Sequence, residues 1–300
     1  MKIGRKIFRL IAKSYKKEYG KYTILNKLFF PYFATKSNEK EILFVNNRFK
    51  MTLDSSEYIQ GHLYAFDCFE PSTIHLIEKI TEKGDNIFDI GANIGYLSLI
   101  FARATGNNGK VLSFEPEEKN FNDLVENITL NNWTNIEPIK LAISNNKSQL
   151  KLFKSKDNNK GSHSTIFNPD ILDEDYELVE TITIDEFIEI KSITKIDIIK
   201  IDVEGAEYEV LDGMNRILSE IKPIIIMEIN DPIQEKRNIS SRDLKEKIIN
   251  YGYHCFNLTE DSQLVQSPLD YKHNIDNVVF IPFGKEPRIS KLLAKKTTLK

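Results

Sequence analysis

The sequence predicts an α/β protein built on a mostly parallel sheet, and three observations carry that expectation. Short runs of Ile, Val, Leu and Phe, the length of buried strands, alternate with stretches whose apolar residues fall at helical spacing. The strand runs are separated by connections long enough to hold a helix, which a parallel pair requires. Finally, Asn86-Ile-Phe-Asp-Ile90 runs into Gly91-Ala-Asn-Ile-Gly95 and then into Leu97, Ile100, Phe101 and Ala104. That is a strand, a tight glycine turn and a helix, the place where such a sheet first meets a small ligand.

At 300 residues, 41% hydrophobic and 28% charged, the chain can bury one large core, so one domain with additions is expected. Cys68 and Cys255 have no metal-ligand neighbours at zinc spacing, which argues against a disulfide framework or a zinc site and suits a reducing cytoplasm. The net charge of -3 conceals basic ends. Residues 1–30 contribute +8 and residues 285–300 contribute +5, leaving -16 on the middle. An acidic folded part speaks against nucleic acid as a partner. No run approaches the roughly 18 apolar residues of a membrane span, and Arg9, Lys13, Lys16 and Lys17 interrupt any signal-peptide core.

In chain order, Ile3, Ile7, Leu10 and Ile11 share one face of a basic helix over residues 2–18, which suggests a peripheral hold on an anionic membrane or packing on the domain. Glu41–Val45 and Arg48–Leu53 flank Asn46-Asn47 and predict a hairpin. The aromatic stretch 57–70 lids a site or pads the sheet edge, and Glu70-Pro71-Ser72 opens a helix to about Ile80. Beyond the first strand, turn and helix come a strand at Val111–Phe114 ending in Glu115, a helix through Leu124 and Ile128, and a third strand at Ile139–Ile143. Leu150–Phe153 is a candidate strand, residues 157–164 read as a polar functional loop, and Asp185 is a plausible N-cap. Strands then follow at Ile196–Val203, Pro223–Met227, His254–Leu258 and Asn277–Ile281, with helices through Val210 and Leu211 and through Leu244 and Ile248. No helix separates the last two strands, so they can pair antiparallel.

Four strand runs end in acids: Asp89, Glu115, Asp202 with Glu204, and Glu228. In an open α/β sheet these ends converge on one crevice. Glu115, twenty residues past Gly95, is placed to bind ribose hydroxyls. A dinucleotide turn would want glycine at 91, 93 and 96, where the chain has Gly91, Asn93 and Tyr96. That points to a nucleoside without phosphate, such as S-adenosylmethionine.

The motifs Asp89-Ile-Gly-Ala-Asn-Ile-Gly95, Phe114-Glu-Pro116, Ile199-Lys-Ile-Asp-Val-Glu-Gly-Ala-Glu207 and Val210-Leu-Asp-Gly213 closely resemble the FkbM family of S-adenosylmethionine-dependent methyltransferases, over residues 57 to 282 or so. The resemblance implies the class I methyltransferase, Rossmann-like sheet of seven mostly parallel strands with one antiparallel member. It also implies O-methylation of a sugar hydroxyl in a glycan, or of a small-molecule hydroxyl, in polysaccharide or secondary-metabolite pathways. The expected organisation is a basic helical extension over 1–40, a methyltransferase domain with its N-terminal hairpin over 41–284, and a basic tail over 285–300.

A hydroxyl is a poor nucleophile, so the reaction wants a base, or a divalent metal in its place. Asp202 and Glu204 are the expected base or metal ligand, with no separate metal-binding set assigned. Asp89, Gly91, Asn93, Gly95, Glu115, Ala142 (near the adenine) and Asp202 are the expected cofactor contacts. Lys200 shares a strand face with Asp202 and is placed to pair with it. Glu207 joins the site or faces solvent; His163 is a candidate mobile base, and Glu70 either reaches the crevice or caps its helix. The alternative function is an inactive, membrane-surface binding module that keeps this fold. The acceptor and the oligomeric state are not legible in the sequence.

Overall fold

The computed structural model of the protein describes residues 2–15, 17–35, 39–155, 164, 165, 167 and 172–294. The chain opens with helix α1 (Lys2–Ala12), then α2 (Lys21–Ile24), a wider π-turn over Leu25–Phe29 and α3 (Phe30–Tyr32). Strands β1 (Lys40–Val45) and β2 (Phe49–Asp54) form the expected hairpin, Val45 opposite Phe49. Asn46 and Asn47 both take positive φ, 52° and 51°, the mirror-image turn that matches strand twist and that asparagine tolerates. Helices α4 (Tyr58–Phe66) and α5 (Pro71–Ile80) lead into the main sheet.

The alternating part runs β3 (Asn86–Ile90), α6 (Tyr96–Thr105), β4 (Lys110–Phe114), α7 (Glu118–Thr129) and β5 (Ile136–Ile139). A small side sheet of β6 (Ala142–Ile143), β7 (Ser148–Ser155) and β8 (Leu172–Ile182) interrupts it, in the order β6-β8-β7. The alternation resumes with α8 (Ile184–Ile190), β9 (Ile198–Ile201), α9 (Glu207–Asp212), β10 (Ile224–Ile229), α10 (Asp231–Glu235), α11 (Ser241–Ile249), β11 (Tyr253–Leu258), β12 (Leu264–Gln266) and β13 (Asp276–Pro282).

The main sheet has eight strands in the order β12-β11-β13-β10-β9-β3-β4-β5. From β5 to β10 neighbours are parallel, and β13 enters antiparallel between β10 and β11. This is the expected sheet with one addition: β12, three residues long, pairs antiparallel with β11 at the edge. Both faces are covered, and side chains alternate strictly between them. Ile87, Ile198, Ile224 and Ile226 point into one core and Phe88, Ile199, Ile225 and Met227 into the other, which is why these strands read as unbroken apolar runs.

Three local expectations are corrected. The third strand is broken: Leu141 N–H donates to the Ile139 carbonyl at 3.0 Å, a three-residue turn that sends Ala142 and Ile143 to the side sheet. Thr183, not Asp185, caps α8; Asp185 instead accepts the Arg216 and Ile217 N–H groups at 2.8 and 3.1 Å. The start of the basic tail is not a tail, since Ile289 and Leu292 are buried in the main core and Arg288 donates to the Ile80 carbonyl; residues 295–300 lie outside the described ones.

Candidate active site

A cavity of about 560 Å³ opens at the carboxyl ends of β3, β4, β9 and β10, well within the range of small-molecule sites. Six carboxylic acids line it, Glu70, Asp89, Glu115, Asp202, Glu204 and Glu228, against two amines, Lys200 and Lys236. All five acids that the sequence picks out at four strand ends therefore meet around one space. Gly91, Asn93 and Ala142 line it too. Gly95 does not, and its work is structural: it starts α6 at φ 86°, and a Cβ there would come within 2.5 Å of Leu124.

The glycine turn and β9 are locked together. Gly91 sits at φ 85°, and a Cβ on it would lie 1.8 Å from the Asp202 carbonyl oxygen. Only a hydrogen in that position lets the turn after β3 pass against the end of β9. The Gly91 and Ala92 N–H groups both donate to the Phe114 carbonyl at 2.9 Å, which ties the turn to β4 as well.

Glu115 completes that knot. Its carboxylate accepts the Asn93 N–H at 2.8 Å and the Glu117 N–H at 3.0 Å, so the acid at the end of β4 is held by the turn it faces. Burial pushes its pKa up to about 8, outweighing the pull of those two donors. Asp89 accepts from the Ser98 hydroxyl at 2.5 Å and is raised to about 6, again by burial. Tyr96, where a dinucleotide turn would have glycine, is buried beside the cavity, and its hydroxyl accepts the Phe69 N–H at 3.4 Å.

At the end of β9, Lys200 is fully buried with Nζ 3.2 Å from an Asp202 carboxylate oxygen. Burial pushes this amine down, but Asp202, Glu70, Glu228 and Asp89 outweigh it and hold its pKa above the ordinary lysine value. Glu204 adopts the left-handed region at φ 52°, uncommon for a non-glycine residue and frequent in functional loops. Its carboxyl and that of Glu228 make no side-chain hydrogen bond among the described residues. Both are raised well above the ordinary range, first by burial and then by neighbouring negative charge, the Asp202 carboxylate foremost. Glu70, Asp202 and Glu228 bring carboxylate oxygens within 4.8 Å of one another and could share a cation, a role that the Lys200 ammonium already fills in part.

Two open positions resolve. Glu70 does not cap α5: its side chain makes no cap bond and instead accepts from the Asn277 amide at 3.1 Å while lining the cavity. Glu207 neither lines the cavity nor faces solvent. It is buried under the loop that carries Glu204, accepting the Val203 and Gly205 N–H groups at 3.3 and 3.2 Å and the Gln234 amide. Burial raises it to about 7.

A test separates that scaffolding role from catalysis. The Gln234 Oε1 atom is buried without a partner. In Glu207→Gln the new amide can donate to Gln234 once that side chain flips, so turnover should stay within a few-fold of wild type. Glu207→Ala leaves three donors unmatched and should cost about 3 kcal/mol or more in urea unfolding. Loss of turnover in Glu207→Gln with unchanged stability would show that the acid takes part in the reaction itself.

Sequence reasoning left the wall before β3 undecided. Tyr58 and Ile59 of α4, with Phe69, line the cavity, and their only signal was a density of aromatic residues. It also missed Asn230, which caps α10 while facing the cavity. His163 lies outside the described residues. Of that loop, Thr165 lines the cavity and Ser164 donates to the Glu204 carbonyl at 2.7 Å.

The family model described as "Methyltransferase FkbM domain" matches residues 89–255. The hexuronic acid methyltransferase AglP of Haloferax volcanii is 29% identical over 182 residues, 60% of this chain and 71% of that protein. Among solved structures, methyltransferase FkbM of Methylobacillus flagellatus KT is 20% identical with a TM-score of 0.42, covering 67% of this chain and 43% of that one. TYW2 of M. jannaschii, solved with AdoMet, is 14% identical with a TM-score of 0.42, covering 83% and 87%. With more than half of its length matched, from the acid at the end of β3 to the middle of β11, the chain belongs to the FkbM family of S-adenosylmethionine-dependent methyltransferases.

Proposed function

We propose that the protein transfers a methyl group from S-adenosylmethionine to a sugar hydroxyl, with a hexuronic acid unit of a glycan as the leading acceptor class and a small-molecule hydroxyl as the next. The observation that carries the donor site is the charge of the cavity. Six acids against two amines, several with pKa values lifted by burial, leave a space in want of positive charge. The donor, when bound, supplies an electrophilic methyl on a positively charged sulfur. Glu115 would take the ribose hydroxyls, Gly91 and Asn93 would let the turn approach, Ala142 would lie by the adenine, and Asp89 and Asp202 would face the amino acid part. The acceptor class rests on the relative that acts on hexuronic acid.

For the chemistry, Glu204 and Asp202 stand at the end of β9, where they can accept the proton of an attacking hydroxyl. Lys200 holds Asp202 in place and balances its charge. Alignment of the two partners supplies much of the acceleration, about 7–11 kcal/mol in well-oriented cases.

The test is calorimetry followed by labelled methyl transfer to hexuronic acid glycans. In the empty site the folded protein holds protons that the unfolded chain has lost between pH 4.5 and about 8, so its stability falls as pH rises through that window. A cationic ligand lowers these pKa values and expels protons. Affinity for S-adenosylmethionine should therefore rise with pH from about 5 to 8, by up to roughly tenfold per unit for each proton released. No binding of either S-adenosylmethionine or S-adenosylhomocysteine would sink the reading.

A role in polysaccharide assembly on the cytoplasmic side belongs to the same proposal. Both described cysteines are free, in keeping with a reducing compartment. No helix among the described residues is long and apolar enough to cross a membrane, so any contact of residues 1–30 with a bilayer would be peripheral.

A further inference from the structure

Helix α1 is mounted inside out. Its two arginines and the lysine just after it face the protein: Arg5 is buried and pairs with Glu41, Arg9 donates to the Tyr64 carbonyl at 2.9 Å and pairs with Asp67 at 2.8 Å, and Lys13 reaches the other Asp67 oxygen at 2.9 Å. Phe8 adds the apolar part of the contact, stacked on Phe33 at 4.7 Å. The aliphatic face points away. Ile3, Ile7, Leu10 and Ile11 are 77%, 51%, 72% and 67% exposed. A helix that packs only to bury its apolar side would be turned the other way.

The exposed residues of α1 and of the short helices that follow it have one chemical character. Tyr19, Tyr22 and Tyr32 are exposed, as are Lys6, Lys17 and Lys27. Glu18 is the lone acid in residues 1–35 of the sequence, and it is paired with Lys21 at 2.6 Å. Aliphatic side chains that can enter an acyl layer, tyrosines suited to its polar boundary and lysines with no competing acid make up the pattern of an interfacial helix on anionic lipid. A protein partner of ordinary composition would be met by no such one-sided charge.

We propose that this N-terminal face seats the enzyme on an anionic bilayer, with the ridge of α1 in the acyl boundary and the lysines at the headgroups. Arg5, Arg9 and Lys13 hold the helix to the domain, which leaves the apolar side chains to do the inserting.

The test uses the full chain with vesicles of phosphatidylcholine, alone or mixed with phosphatidylglycerol. Wild type should co-sediment with the mixed vesicles and weaken with added salt. The double variant Ile7→Glu with Leu10→Glu should bind about 10²-fold less, each buried aliphatic being equivalent to roughly tenfold or more in partitioning. Lys6→Glu should weaken binding to the mixed vesicles alone. All three positions are exposed, so melting temperature and methyl transfer to a soluble acceptor should not change, which keeps this outcome separate from the assignment of the reaction. Absence of vesicle binding by wild type, equal binding by the double variant, or a dimer in light scattering that the double variant dissolves would each overturn the proposal.

Discussion

Gly91→Ala is expected to cost both stability and donor binding. The added Cβ would stand 1.8 Å from the Asp202 carbonyl oxygen and 2.8 Å from its carbon, so backbone rather than a flexible side chain must yield. The left-handed φ adds about 1–2 kcal/mol for a residue with a side chain, and forced overpacking adds about 1–3 kcal/mol. The ladder bond from Asp202 N–H to the Ile90 carbonyl, 3.0 Å, lies in the path of the shift. A melting temperature lower by roughly 5–10 °C and a donor affinity weaker by about 10²-fold or more are the expected results. An alanine variant that melts with wild type and binds the donor normally would show that the turn and β9 are not in contact as described.

Glu204→Gln should leave the fold intact and lower kcat by about 10²–10³-fold while changing donor affinity by only a few-fold. The carboxyl makes no hydrogen bond to another described side chain, so the amide replaces it without stranding a partner, and it removes one ionisable group from an overcrowded acidic set. Asp202→Asn should lower turnover comparably but with a second penalty: it takes from the buried Lys200 ammonium its nearest counter-charge, 3.2 Å away. The pair of variants thus separates two roles. Lost turnover with retained stability marks Glu204 as the base, whereas wild-type turnover in both would remove the assignment from β9 altogether.

The parts legible in the sequence were those fixed by local periodicity and by strand ends. Asp89, Glu115, Asp202, Glu204 and Glu228 could be placed on one crevice because a strand buried on both faces reads as an apolar run, and the first acid after it marks the rim. Glu70 and Glu207 could not be placed, since their surroundings come from far along the chain: Asn277 for one and Gln234 for the other. The orientation of α1 was illegible for a related reason. An amphipathic pattern says which residues share a face, and only Asp67 and Glu41, on other elements, decide which face turns inward.

The wall formed by α4 and the segment before β3 bears on how this enzyme can be rebuilt. Tyr58, Phe69 and Glu70 bound the cavity, yet all precede the stretch shared with the family, which begins at Asp89. Residues 89–255 hold the acids at the ends of β3, β4, β9 and β10, while one side of the cavity is built by the segment before them. Swapping that segment among relatives would change one wall of the cavity while leaving the strand-end acids in place.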